Sequence, residues 1–224
     1  MIGSPQFPPV WEPLVSKVTT ARRRTLRTMD DDELLRRQDR LCTEADRVAG
    51  DLGLDALLSG VGRPVRVGSA ALALMTGRDL DIDVVCARLT PATATAVAAI
   101  GARLAVHERV REVTFRDDTG HWNTDPRYPD GLYLGVRCRS REGHDWTLDI
   151  WFVDRPDRQP SHVHLRTLPP RLTPATRLAV LRLKHTLAGH PARGYDVYRA
   201  VLDHGVRTPG EFERWYRERP SADT

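Results

Sequence analysis

Apolar residues recur at helical spacing along the first third of the chain, at Leu34, Leu35, Leu41, Cys42, Ala45, Val48 and Ala49. That pattern predicts an amphipathic helix with one packing face. Asp30, Asp31 and Asp32 precede it and place acids at its positive end. After a glycine-rich turn around Gly60 and Gly62 the period changes. Val65-Arg66-Val67 forms a short apolar strand that runs into Gly68-Ser69, and Ala70 to Met75 has room for one or two helical turns. Next, Leu80-Asp81-Ile82-Asp83-Val84 alternates with period two. On a strand, residues two apart point to one face, so Asp81 and Asp83 project together and Leu80, Ile82 and Val84 enter a core.

The same reading continues downstream. Thr90-Pro91 opens a helix over Ala92 to Ala105, with proline at its first position. Val110 to Phe115 reads as a strand, His121 to Asp130 as a loop, and Gly131 to Arg139 as a strand with Leu132, Leu134 and Val136 on one face. Arg141-Glu142-Gly143-His144 is a turn that leads into a strand from Trp146 to Val153, making a hairpin. Trp146, Leu148, Ile150 and Phe152 share one side of that strand; Thr147, Asp149 and Trp151 share the other. His162-Val163-His164 falls in a loop or short strand and reads as a hydrogen-bonded or exposed pair rather than a zinc site. Thr173-Pro174 opens a helix to Ala188, a further helix ends at His204-Gly205, and Thr208-Pro209-Gly210-Glu211 is a capping box for a last helix. Alternating strands and helices give an α/β (α+β) class. The boundaries are an N-terminal arm over 1–29, a core over 30–169 and a C-terminal helical subdomain over 170–224.

Composition narrows this picture only slightly. The 224 residues are 40% hydrophobic, enough for one core with a helical annex. The net charge is +4 with a pI near 9.2. Basic residues other than Lys17 and Lys184 are all arginine, and acids are interspersed with them, so no broad basic face emerges. Arg22-Arg23-Arg24 reads as part of a solvated arm. Cys42, Cys86 and Cys138 lie far apart, in neither zinc nor disulfide spacing, which suits a reducing cytoplasm. Met1 to Val10 has no signal-peptide pattern, and no apolar run reaches the length of a membrane span.

The candidate chemistry lies in the acids. Two carboxylates on one face of a buried strand repel each other and need a cation or a proton. Oxygen-only ligands suit Mg²⁺, which shares its shell with substrate phosphates. Asp149 is a lone acid in an apolar strand and is costly to bury without a partner. Gly68 permits close backbone approach of a ligand, and Ser69 offers a hydroxyl or caps an ordinary turn. Lys184 has Val180, Leu181, Leu187 and Ala188 as helical neighbours, so it either snorkels or places its ammonium in a pocket.

Gly68-Ser69, the Leu80-Asp81-Ile82-Asp83-Val84 strand and the later acid Asp149 together resemble the DNA polymerase β-like nucleotidyltransferase superfamily. The resemblance covers residues 65–85 and 146–153. It is similar in scale to small members, the antibiotic nucleotidyltransferases and nucleotidyltransferase toxins. It implies a mixed β-sheet core flanked by helices, with a helical annex. It implies one or two Mg²⁺ ions on Asp81, Asp83 and Asp149, and an NTP whose phosphates meet Gly68, Ser69, Lys184 and, less directly, Arg78. Asp79 precedes the pair on the same face and is an alternative ligand. The implied reaction transfers a nucleoside monophosphate to an acceptor hydroxyl, a small molecule first and tRNA second, and releases pyrophosphate. A glycosyltransferase with an Asp-x-Asp metal site and a non-catalytic nucleotide-binding module are the competing classes.

Overall fold

The computed structural model describes residues 29–125 and 128–219. The expected arm, save its last residue, Arg22-Arg23-Arg24 and the chain end at Ser221 to Thr224 lie outside the described residues. Helices α1 (Asp31–Asp51) and α2 (Leu54–Ser59) lead into strand β1 (Arg63–Arg66), the single turn α3 (Gly68–Ala71) and strand β2 (Asp79–Val85). Helix α4 (Pro91–Ala105) connects to β3 (Val110–Asp118), which is followed by β4 (Gly131–Arg139) and β5 (Asp145–Val153). Helices α5 (Pro160–Thr167), α6 (Pro174–Thr186), α7 (Gly194–His204) and α8 (Pro209–Glu218) complete the described chain. Among the described residues no helix is long and apolar enough to cross a membrane.

The strands form one five-stranded sheet in the order β1-β2-β5-β4-β3. Only β2 and β5 run parallel, so the sheet is mixed. The period-two alternation predicts its two faces correctly. Leu80, Ile82 and Val84 of β2, Leu148, Ile150 and Phe152 of β5, and Leu132, Leu134 and Val136 of β4 are all buried in one apolar cluster. Leu41, Ala45 and Val48 of α1, Leu54 and Leu58 of α2, and Val97, Ile100 and Leu104 of α4 close that cluster from the helix side. The acidic alternation therefore falls on the opposite face, away from this core.

A second apolar cluster joins α6, α7 and α8 through Val180, Leu183, Val197, Val201 and Phe212. It also takes in Leu72 and Leu74, which follow α3. This use of Leu72 and Leu74 explains a departure from the sequence-based expectation. The helical turns expected up to Met75 stop at Ala71. Ala73 then adopts φ +53°, a left-handed conformation that costs a residue with a Cβ. Arg177 Nη1 holds the bend by donating to the Leu72 and Ala73 carbonyls at 2.8 and 2.7 Å.

Two further helices escape the periodicity. Helix α2 has only six residues and starts from Gly53 at φ +62°, too short for an amphipathic pattern to show. Helix α5 replaces the loop or strand expected around His162-Val163-His164, because Pro160 starts a helical turn and packing against α3 continues it.

Glu44 of α1 ties the helix layer to the β4–β5 hairpin. Its carboxylate accepts from Arg78 Nε at 3.2 Å, Trp146 Nε1 at 3.0 Å and Ser140 Oγ at 3.2 Å, and lies 2.7 Å from His144 Nδ1. Burial would raise its pKa, yet hydrogen bonds from Trp146, Arg78 and His144 hold it down to about 2. A carboxylate depressed in this way stabilises the fold above its ordinary value near 4.5, and that stability is lost as pH falls towards 2. Glu44→Gln is therefore expected to cost about 2 kcal/mol at pH 7, with the deficit shrinking on acidification. Denaturant melts at pH 7 and pH 3 check this; equal deficits at both would assign the loss to shape rather than charge.

Candidate active site

The acids meet through strand register. Parallel pairing sets Asp81 of β2 beside Asp149 of β5, Asp83 beside Trp151 and Asp79 beside Thr147. Antiparallel pairing continues each row, with Gly135 beside Asp149 and Tyr133 beside Trp151. Paired positions share a face, so Asp79, Asp81, Asp83 and Asp149 all project to the side opposite the main core. They line a cavity of about 770 Å³, roofed by α5, α6 and α7. That volume is typical of a small-ligand site.

Asp79, Asp81 and Asp149 are half-buried, and Asp83 is fully buried. Asp83 is 1% exposed, and burial pushes its pKa up to about 6 against a hydrogen bond from Ser161. Asp81 is pushed to about 7, first by burial and then by repulsion from Asp79, Asp149 and Asp83, with Lys184 opposing the shift. Helix α5 reaches the far end of the cluster. Ser161 Oγ donates to Asp83 Oδ2 at 2.5 Å, and His162 Nε2 sits 3.3 Å from the same oxygen. That nitrogen is off the hydrogen-bonding direction and is buried without a partner. On the other side Tyr133 Oη donates to Asp149 Oδ1 at 2.6 Å. Gly135 makes this possible, because a Cβ there would run into the Tyr133 hydroxyl and ring. Neither Ser161 nor Tyr133 carries a signal in the sequence. Both are found only once the sheet and α5 are assembled.

The turn after β1 leans on the same acids. Val67 N donates to the Asp81 carbonyl at 3.1 Å, and Gly68 takes φ +62°. A Cβ on Gly68 would land on the Asp81 carboxylate, so glycine is required twice, for its φ and for its emptiness. Ser69 is buried, and its hydroxyl has no hydrogen-bond partner while its residue lines the cavity. A buried hydroxyl left unpaired is unfavourable unless a ligand completes it.

Lys184 comes from α6 into the cavity wall. Its Nζ donates to the Leu74 carbonyl at 2.8 Å and lies 5.7 Å from the Tyr198 ring centre. Burial lowers its pKa, and Asp79 and Asp81 pull it back up. The ammonium is thus held inside the cavity wall by the Leu74 carbonyl. Arg78, expected at the phosphates, is instead engaged with Glu44 and lines none of this cavity. Arg37 takes a place there that the sequence did not suggest. Its Nη2 donates to the Thr76 carbonyl at 3.3 Å, and its buried Nε has no partner. His164 also lines the cavity, stacked on Tyr195 with ring centres 4.3 Å apart. Across from it, Trp151 stacks with Tyr128 at 6.2 Å, and the Arg193 guanidinium covers Tyr128 at 4.7 Å.

Among the described residues no group of three or more His, Cys, Asp and Glu side chains is arranged to hold a metal ion by itself. Ser161 occupies one oxygen of Asp83, and Tyr133 one oxygen of Asp149. The donor set nevertheless fits Mg²⁺, which keeps several waters and uses one or two carboxylates together with substrate phosphates. Asp81 supports the fit most directly. It is pressed between like charges on a surface that Gly68 leaves free of side chain.

No protein-family model matches the chain, and no curated protein does. Among solved structures it is similar to Cid1, described by its RNA terminal uridylyl transferase activity, with a TM-score of 0.48 and 17% identity over 79% of this chain and 48% of that one. It is also similar to a cytoplasmic RNA terminal U-transferase, with a TM-score of 0.44 and 16% identity over 70% of this chain and 47% of that one. The chain spans about half the length of these structures.

Proposed function

We propose that the protein is a metal-dependent nucleotidyltransferase. It would transfer a nucleoside monophosphate from an NTP to an acceptor hydroxyl and release pyrophosphate. The observation that carries this reading is the parallel register of β2 and β5. It sets Asp149 beside Asp81, with Asp83 on the same cavity face. Asp81 and Asp83, joined by Asp149, would hold one or two Mg²⁺ ions. The bound metal would supply charge neutralisation and polarisation at the reacting phosphoryl group.

The chain's own residues divide the remaining work. The unpaired Ser69 hydroxyl and the Lys184 ammonium are suited to the leaving polyphosphate, with Arg37 beside them. Gly68 lets that polyphosphate approach the backbone. Asp149, oriented by Tyr133, would take the proton of the acceptor hydroxyl as its oxygen bonds to the α-phosphorus and the α–β anhydride bond breaks. Trp151, Tyr128 and Tyr195 offer flat faces to a nucleobase. The cleft lies between the sheet core and the helices that follow residue 170, which we read as the two parts of one catalytic unit. A polar small molecule and an RNA end both supply the required hydroxyl.

The test is direct. Each of the four NTPs is titrated into the protein with Mg²⁺ by calorimetry, and pyrophosphate release is followed with acceptor pools of small polar molecules and of total tRNA. Metal-dependent NTP binding with pyrophosphate release supports the reading; no NTP binding at any Mg²⁺ concentration refutes it. Lys184→Ala is expected to weaken NTP binding at least about tenfold, the value of one charge-assisted hydrogen bond. An unchanged affinity would return Lys184 to a packing role against the Leu74 carbonyl.

A further inference from the structure

Buried carboxylates are held in two different ways in this fold. Glu44 gathers Arg78, Trp146, Ser140 and His144 around its oxygens, as a group kept for structure does. Asp83 and Asp149 are treated otherwise. Among the described residues each accepts one hydroxyl, Ser161 Oγ on Asp83 Oδ2 at 2.5 Å and Tyr133 Oη on Asp149 Oδ1 at 2.6 Å. A carboxylate has about four acceptor sites, so both are left short of donors. The two hydroxyls come from different elements. Ser161 belongs to α5, which packs on the Gly68–Ala71 turn. His162 Nε2, 3.3 Å from the same Asp83 oxygen, marks Oδ2 as the one turned to that helix. Tyr133 is clamped on β4, its ring 4.9 Å from the Trp151 ring and covered by the Arg116 guanidinium at 4.7 Å. Asp118 fixes Arg116 in turn at 2.6 Å.

A hydroxyl bound to one oxygen fixes the plane of a carboxylate and directs the other oxygen. Here that leaves Asp83 Oδ1 and Asp149 Oδ2, on two side chains that line the same cavity. Stability alone would favour more donors on Asp83, which is 1% exposed, because one neutral hydroxyl offsets little of the cost of burying a charge. Carboxylates that ligate a metal, by contrast, are ordinarily oriented by single outer hydrogen bonds of this kind. We propose that Ser161 and Tyr133 are positioning residues that pre-set Asp83 and Asp149 for a divalent cation, one from α5 and one from β4. This deepens the nucleotidyltransferase reading, on which the role of the cation rests, and it makes α5 part of the metal site. The packing of α5 on the Gly68–Ala71 turn then sets the hydroxyl on Asp83 and the proposed polyphosphate turn through one contact.

The experiment titrates Mn²⁺ into the full chain, with and without NTP, and follows the free ion by electron paramagnetic resonance. Tyr133→Phe, which removes only the hydroxyl, is expected to weaken Mn²⁺ binding about tenfold or more. Ser161→Val and Ser161→Thr form a pair of equal shape that differ in the hydroxyl. The valine variant is expected to lose about as much as Tyr133→Phe, and the threonine variant to bind Mn²⁺ as the unmodified protein does. Should Ser161→Val melt early, Tyr133→Phe carries the test at the other carboxylate. Losses in Tyr133→Phe and Ser161→Val with binding kept in Ser161→Thr support the proposal. Unchanged Mn²⁺ affinity in Tyr133→Phe and Ser161→Val overturns it. Equal losses in Ser161→Val and Ser161→Thr overturn it too, because shape rather than the hydroxyl would then be responsible. The two readings fail separately. Hydroxyl-dependent Mn²⁺ binding by a protein that binds no NTP sinks the nucleotidyltransferase reading alone. Metal-dependent pyrophosphate release with Mn²⁺ affinity indifferent to both hydroxyls sinks the positioning role alone, and no Mn²⁺ binding by the unmodified protein sinks both.

Discussion

Asp81→Asn is expected to reduce nucleotidyl transfer at least about 10³-fold, a loss of about 4 kcal/mol of transition-state stabilisation, while making the metal-free protein more stable at pH 8. The two effects have one cause. Asp81 stands on a buried strand face among Asp79, Asp83 and Asp149, and its pKa is raised to about 7 by burial and their repulsion. A carboxylate whose folded pKa is raised contributes its stability below its unfolded value, near 3.8, and loses it as pH climbs through 7. At pH 8 the ionised side chain therefore costs the fold on the order of 4 kcal/mol, and the amide removes that cost. The melting temperature of Asp81→Asn should exceed that of the unmodified protein by roughly 8 to 16 °C at pH 8, and the two should converge towards pH 4. Mg²⁺ with NTP is expected to raise the melting temperature of the unmodified protein at pH 8 and to leave the variant nearly unmoved. Full turnover by the variant, or a stability difference that ignores pH, would remove Asp81 from the metal site.

Gly68→Ala is expected to cost about 2 to 3 kcal/mol of stability and to lower transfer at least about 10²-fold. The left-handed φ of +62° accounts for about 1 to 2 kcal/mol of the first effect. The remainder arises because the new methyl group would lie on the Asp81 carboxylate, which must turn away. Displacing that group moves a proposed ligand and the floor under the polyphosphate together, and small misplacements in an active site carry large rate penalties. Gly205→Ala is the control. Gly205 has φ +67° but open space around its α-carbon, so only the conformational cost of about 1 kcal/mol is expected there, with transfer intact. If Gly68→Ala behaves like Gly205→Ala, the close approach to Asp81 has no catalytic consequence.

These expectations rest on residues of two kinds. Asp81, Asp83 and Asp149 were legible as polar positions in period-two strands, and Gly68-Ser69 as the turn before them. Alternation assigns a side chain to a face without knowing which strand lies next to it. Ser161, Tyr133 and Arg37 were not legible, because a serine, a tyrosine and an arginine in ordinary surroundings carry no periodic or motif signal. Arg78 shows the same limit of local reading. Its neighbour in sequence is the acidic strand, but its partner in space is Glu44.

Local pattern alone was enough to give the strands of the sheet, the long helices with their caps at Thr90, Thr173 and Thr208, and the polarity of each strand face. Those features depend on near neighbours, whose geometry is set by backbone periods of 2 and 3.6. The strand order β1-β2-β5-β4-β3, the register of Asp81 on Asp149, the bend at Ala73, the helix at Pro160–Thr167 and the cavity over the acids came only from the assembled fold. Each requires contacts between segments far apart in the chain, where burial and hydrogen bonding outweigh local preference.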